Sequence, residues 1–225
     1  MNIFDINYIV FTAAGYPVSF IELAGTISGF ACVYLTAKER VICWPVGIVN
    51  IVFFFFMFYQ VRLYSDMLLQ VYFLVTTIYG WWRWTHPNSD SERDGKDELR
   101  VTDLTAGQFA FLIALCSAST FLLGALMSDI HTLLPSIFRE PAAYPYADAF
   151  TTVFSVAAQI IMAMKKRQCW LLWITVDIAA AAVYFLKGIN LVAIEYILFG
   201  IIAAAGFINW TGIRNSYSGT AEAAA

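Results

Sequence analysis

In the run Trp170-Leu171-Leu172-Trp173-Ile174-Thr175-Val176-Asp177, continued to Tyr184, helical periodicity puts Trp170, Trp173, Asp177 and Tyr184 on one face, at i, i+3, i+7 and i+14. Two indoles, a carboxylate and a phenol therefore share a stripe, inside an apolar segment long enough to cross a bilayer. Such a stripe suits a flat, polar, cationic molecule. Cation–π attraction to an indole grows as water is excluded. An ionisable group deep in a span is costly and usually faces a cavity or a partner. Each residue also has a plainer reading. Trp170 follows the basic run 165–167 closely, so it serves equally as a membrane-edge tryptophan. Asp177 can be bonded to a neighbouring helix.

Further candidates lie in other apolar segments. Asn50 and Gln70 each donate and accept, which fits hydroxyl and carboxamide recognition and equally fits glue between helices. Glu195 is a second carboxylate inside a span, followed by Tyr196. Glu22 and Asp148 sit near the starts of their segments, where a capping or scaffold role suits them. His86 and His131 have no triad or metal pattern around them, and no ATP-hydrolysis motif is present. Cys32, Cys43, Cys116 and Cys169 lack metal-ligand spacing and read as small buried hydrophobes. No metal, cofactor or nucleic-acid partner is called for.

These residues must be positioned by membrane helices. The chain has 225 residues, of which 60% are hydrophobic and 13% charged, and its mean hydropathy is +0.70. A soluble domain carries about 25% charged residues. No Lys or Arg precedes Lys38, so the basic start of a cleavable signal peptide is missing and the first helix is expected to be retained. Seven spans are predicted, at 18–37, 41–60, 64–84, 104–127, 147–164, 169–186 and 190–210. Residues 3–14 are apolar but short of the ~20 a crossing needs, which places 1–17 at the interface. Residues 86–103 read as a solvated loop, 211–225 as a tail, and Pro45 with Gly47 as a bend in the second span. Of the 13 Lys and Arg, all but Arg62, Arg139 and Lys187 fall on one side of the membrane. The positive-inside rule then puts the N-terminus outside and the C-terminus in the cytoplasm. Lys187 reads as a loop-end residue that snorkels.

An ungapped offset of 126 residues aligns the two halves: Cys43-Trp44 on Cys169-Trp170, Phe73 on Phe199, Gly80 on Gly206, Trp84 on Trp210. The fold expected is an all-α integral membrane protein with a seven-helix 3+1+3 core. Two parallel three-helix repeats (18–84 and 147–210) are joined through a linker helix within 85–146, the plan in which substrate sits near mid-membrane. The copies differ where Trp173 stands for Gly47, Asp177 for Ile51, Glu195 for Leu69 and Tyr196 for Gln70.

The stretches Glu22-Leu-Ala-Gly-Thr-Ile-Ser-Gly29, Leu63-Tyr-Ser-Asp-Met-Leu-Leu-Gln-Val71, Tyr79-Gly-Trp-Trp-Arg-Trp84, Trp170-Leu-Leu-Trp173 and the Lys187-Gly188 turn resemble the PnuC family of nicotinamide riboside transporters, over about residues 20–210. The resemblance implies a SWEET-like core in a bacterial inner membrane, uptake of nicotinamide riboside by facilitated diffusion with phosphorylation inside, and a homo-oligomer, a trimer. The substrate-facing residues expected are Trp173, Asp177, Asn50, Gln70, Tyr184, Glu195, Tyr196 and Trp170. The alternatives are a proton-coupled carrier of thiamine or riboflavin, and a membrane-embedded enzyme, for which the loops supply no clustered acid–base residues.

Overall fold

A computed structural model describes residues 3–13, 15–60, 64–94, 96–133, 144–186, 188 and 190–222. The chain forms two compact units, Met1–Arg100 and Val101–Ala225. The first holds strands β1 (Ile9–Ala13) and β2 (Tyr16–Ser19) and helices α1 (Phe20–Ala37), α2 (Cys43–Gln60) and α3 (Tyr64–Thr85). The second holds α4 (Ala106–Leu133), α5 (Pro145–Ala163), α6 (Cys169–Leu186) and α7 (Asn190–Glu222). Six of the seven helices are long and apolar enough to cross a membrane. The exception is α3, which has the length at 22 residues; its Tyr and Trp side chains and Arg83 lower its mean hydropathy. Phe111, Phe121 and Leu122 on α4 and Ile208 on α7 point outward, as lipid-facing side chains do.

In the first unit α1 packs on α2 and α2 on α3. Ser19 caps α1, its Oγ accepting from the Glu22 backbone N–H at 3.3 Å. This is half of a capping box, whose glutamate here turns instead to accept from the Tyr16 hydroxyl at 3.0 Å. The helix ends on Glu39 at φ 58°, with Glu39 N–H donating to Thr36 O and Arg40 N–H to Leu35 O. That is a Schellman closure on a residue other than glycine. In the second unit α5 ends the same way on Lys165 at φ 55°, with donations to Met162 O and from Lys166 to Ile161 O. Both side chains are buried, Glu39 at 4% and Lys165 at 0% exposure.

Also in the second unit, α4 packs on α5, α5 on α6 and α6 on α7. Gly124 of α4 lies under the Tyr146 ring of α5; a Cβ there would stand 2.4 Å from Tyr146 Cδ1. The α4 helix, expected as a linker, thus packs closely on α5.

Several expectations are corrected. The interval placed at the interface, for which no secondary structure was read from the sequence, contains an antiparallel hairpin, with Ile9 opposite Ser19 and Ala13 opposite Tyr16. Period-2 alternation was masked there because both strand faces carry apolar residues. Pro45 does not bend the interior of α2. It sits in the first turn, where its missing N–H breaks no helical bond. The tail is helical, since α7 runs on to Glu222. The 86–103 loop is not wholly solvated: Leu99 and Val101 are buried. Leu99 N–H donates to Trp84 O at 2.9 Å, and Arg83 pairs with Glu92 at 2.8 Å. Arg62, Pro135, Arg139, Pro141 and Lys187 lie outside the described residues.

Candidate substrate site

Helix α6 is seated at its N-terminal end by the residues before it. Gln168 bonds both backbone groups of Leu104, accepting its N–H at 3.0 Å and donating to its O at 3.1 Å. Arg167 forks onto Asp103 at 2.9 and 3.2 Å, donates to Thr211 Oγ1 at 3.1 Å and lies 5.1 Å from the Phe207 ring centroid. Arg214 adds a second cation to Asp103 at 3.0 Å. One carboxylate therefore ties the α5–α6 turn to the far end of α7. No sequence pattern announced this clasp, because Asp103 stands 64 residues from Arg167.

From this anchored end the predicted face unfolds in order. Trp170 is 1% exposed. Its ring meets Trp210 edge-on at 5.5 Å and 88° and fills the notch left by Gly206, where a Cβ would fall 2.7 Å from the indole. In this conformation its ring is enclosed by protein. Trp44 does the same in the first unit: edge-on to Trp84 at 5.1 Å and 90°, over Gly80, where a Cβ would fall 2.2 Å away. In both wedges the indole N–H is buried with no hydrogen-bond partner among the described residues, so shape, not polarity, holds the ring.

One turn further, Trp173 is only half-buried, so part of its ring is open to a ligand although its N–H is enclosed. Asp177 follows at 6% exposure. Among the described residues its carboxylate has no hydrogen-bond or ion-pair partner. Across from it α7 presents Gly200; a Cβ there would stand 3.5 Å from Asp177 Cβ, so the absent side chain keeps that approach clear. Tyr184, two turns on from Asp177, stacks on Tyr196 of α7 at 5.5 Å and 13°, and Tyr196 meets Phe199 at 6.4 Å. Glu195, beside Tyr196, is half-buried. The structure thus joins Tyr184 and Tyr196 across α6 and α7, while Trp173 and Asp177 precede Tyr184 along α6 and Glu195 is next to Tyr196 in sequence. Gly200 is the participant that residue-type reasoning passed over, since a glycine carries no chemistry of its own.

The two candidates of the first unit differ from each other. Asn50 Nδ2 donates to Gly25 O at 2.7 Å, joining α2 to α1. Gln70 on α3 is half-buried and makes no hydrogen bond among the described residues. No group of three metal-ligating side chains occurs among the described residues.

Six apolar helices long enough to cross a membrane, one of them holding a buried carboxylate with no partner among the described residues, fit a membrane-embedded carrier of a small molecule. The chain belongs to the family described as nicotinamide mononucleotide transporter, whose model matches residues 19–212. It is 30% identical over 213 residues to the nicotinamide riboside transporter PnuC of Escherichia coli K12, covering 88% of this chain and 87% of that one. It is 23% identical over 210 residues to the nicotinamide riboside transporter PnuC of Neisseria mucosa, covering 90% and 76%. The crystal structure of the vitamin B3 transporter PnuC shares the fold, with a TM-score of 0.65 at 19% identity over 88% of this chain and 83% of that one. The protein is a transporter and not an enzyme. With bacterial relatives and six apolar spans, it is a multi-pass protein of the inner membrane.

Proposed function

We propose that this chain takes up nicotinamide riboside by facilitated diffusion with alternating access, phosphorylation inside making uptake one-way. The observation that carries this reading is Asp177, buried in a span with no partner among the described residues and followed across α6 and α7 by aromatic rings. Leaving such a carboxylate unpaired costs several kcal/mol, a penalty that a ligand with a fixed positive ring relieves on binding. In this reading Trp173 faces the pyridinium, Asp177 balances its charge or binds ribose hydroxyls, and Tyr184, Tyr196 and Glu195 wall the same layer. Trp170 and Asn50 are assigned to packing, and Gln70 to hydroxyl or carboxamide recognition.

The substrate is the riboside and not its phosphate. α6 carries no Lys or Arg, so a phosphate there would meet carboxylates alone. The names of the curated relatives agree with that choice, whereas the family's description names the mononucleotide. The recurrence of the tryptophan–glycine wedge at an offset of 126 residues supports a 3+1+3 plan with two parallel repeats. Loop charge supports an outer N-terminus and a cytoplasmic C-terminus. The assembly is a homo-oligomer, a trimer by family resemblance.

Uptake of labelled nicotinamide riboside by liposomes holding the pure protein tests the reading. Saturable uptake that ignores an imposed pH gradient supports facilitated diffusion. Uptake no faster than into empty liposomes refutes it, and calorimetry showing the mononucleotide bound as tightly as the riboside refutes the choice of substrate.

A further inference from the structure

We propose that the β1–β2 hairpin is a lipid-seated anchor, with Ile9, Val10, Phe11 and Tyr16 lodged in the boundary between headgroups and acyl chains. Successive side chains of a strand point to opposite faces. A bulge breaks the register between Ile9 and Phe11, but past it the adjacent pairs Phe11 and Thr12 on β1 and Tyr16 and Pro17 on β2 are all exposed, as are Ile9 and Val10 at 42% and 47%, so the described residues cover neither face. A two-stranded ribbon is marginal in water even with a face to bury. One that offers apolar groups on both faces needs an apolar medium around it. Contact with a second copy of the chain would cover one face and leave the other wet.

Charge and connection point the same way. From Ile6 to Ile21 the chain has no Asp, Glu, Lys, Arg or His. β2 passes directly into α1 at Phe20, and α1 is an apolar span, so the ribbon is held at the end of a membrane helix. Its base is tied down. Phe20 N–H donates to Tyr8 O at 2.9 Å, and Ile6 N–H donates to Gln60 Oε1 at 3.0 Å. Phe4 packs against Phe53 at 5.5 Å and Phe56 at 4.8 Å. The exposed apolar surface continues past this base through Phe56 and Tyr59 on α2. Depth is limited by the backbone: the outer edges of a two-stranded ribbon leave N–H and C=O groups unpaired, which the hydrocarbon core does not tolerate. The boundary layer, where tyrosine is at home, satisfies both demands.

The test is a nitroxide attached to Val10→Cys, with Cys32, Cys43, Cys116 and Cys169 changed to Ala, in lipid vesicles. Relaxation by dissolved oxygen and by a water-soluble nickel chelate is compared. A label at Ser91 in the polar connecting segment is the wet control. Oxygen is expected to exceed the chelate at position 10 and the order to reverse at 91. A chelate-dominated signal at position 10 overturns the proposal in favour of a ribbon in water. Low access to both reagents overturns it in favour of protein cover, whether by this chain or a second copy. The same label at Tyr16→Cys gives an independent reading if Val10→Cys does not fold.

Discussion

The turn after the tryptophan wedge is built differently in the two units. In the first, Trp44 over Gly80 is followed by Gly47, whose added Cβ would lie 3.1 Å from Cys32 Sγ, and by Ile51, 6% exposed. Asn50 beside them is bonded to Gly25 O. There Gly47 and Asn50 hold α2 to α1, and Trp44 holds it to α3. In the second, Trp170 over Gly206 is followed by Trp173, left half-open, and by Asp177, as buried as Ile51 but with no partner among the described residues. The same helical positions are closed packing in one unit and an unmet polar demand in the other. An apolar group in close contact contributes to stability; a buried carboxylate without a partner detracts from it. The second unit therefore gives up stability where the first gains it, as a binding site does before its ligand arrives.

The strongest test of that contrast exchanges the roles. Ile51→Ala is expected to cost about 2–5 kcal/mol of stability, seen as a lower unfolding temperature in detergent, with riboside affinity unchanged. Asp177→Ala is expected to do the reverse: a higher unfolding temperature, and riboside affinity weaker by about 1.5–3 kcal/mol, the worth of a hydrogen bond to a charged group, read by calorimetry. If Asp177→Ala destabilises without touching affinity, the contrast collapses and Asp177 is structural.

Next come the wedges, which the comparison treats as alike. Gly80→Ala and Gly206→Ala each drive a methyl into an indole and are expected to lower stability by about 1–3 kcal/mol. A neutral result at either position would show that the two wedges are not equivalent. Trp173→Ala is expected to weaken riboside binding by about 2 kcal/mol, the size of a desolvated cation–π contact, measured by the same calorimetry. The smallest effect is that of Asn50→Ala, a loss of about 1 kcal/mol of stability for one hydrogen bond with affinity preserved. A loss of affinity there would return Asn50 to the substrate-contacting residues.

Much of this was legible in the sequence. The helices α1, α2, α3 and α6 begin and end within about two residues of the positions read from hydropathy, because a bilayer imposes both length and apolarity on a span. Helical periodicity placed Trp173, Asp177 and Tyr184 on one stripe, and the 126-residue offset marked Trp44 and Trp170 as twins before their rings were seen. The hairpin was not legible, since apolar residues on both faces of a strand erase the alternation that reveals it. The first-turn position of Pro45 was also missed, because helix ends are set by local caps that hydropathy does not sense.

By itself, then, the sequence determined that this is a helical membrane protein, where its spans run, and which polar groups lie inside them. Those follow from one-dimensional constraints of length, period and charge. Only the tertiary structure decided which polar groups are satisfied. Asn50 and Asp177 are both polar residues inside spans, yet one meets a backbone carbonyl and the other meets Gly200. The neighbour across the helix interface sets that difference, and it comes from another helix.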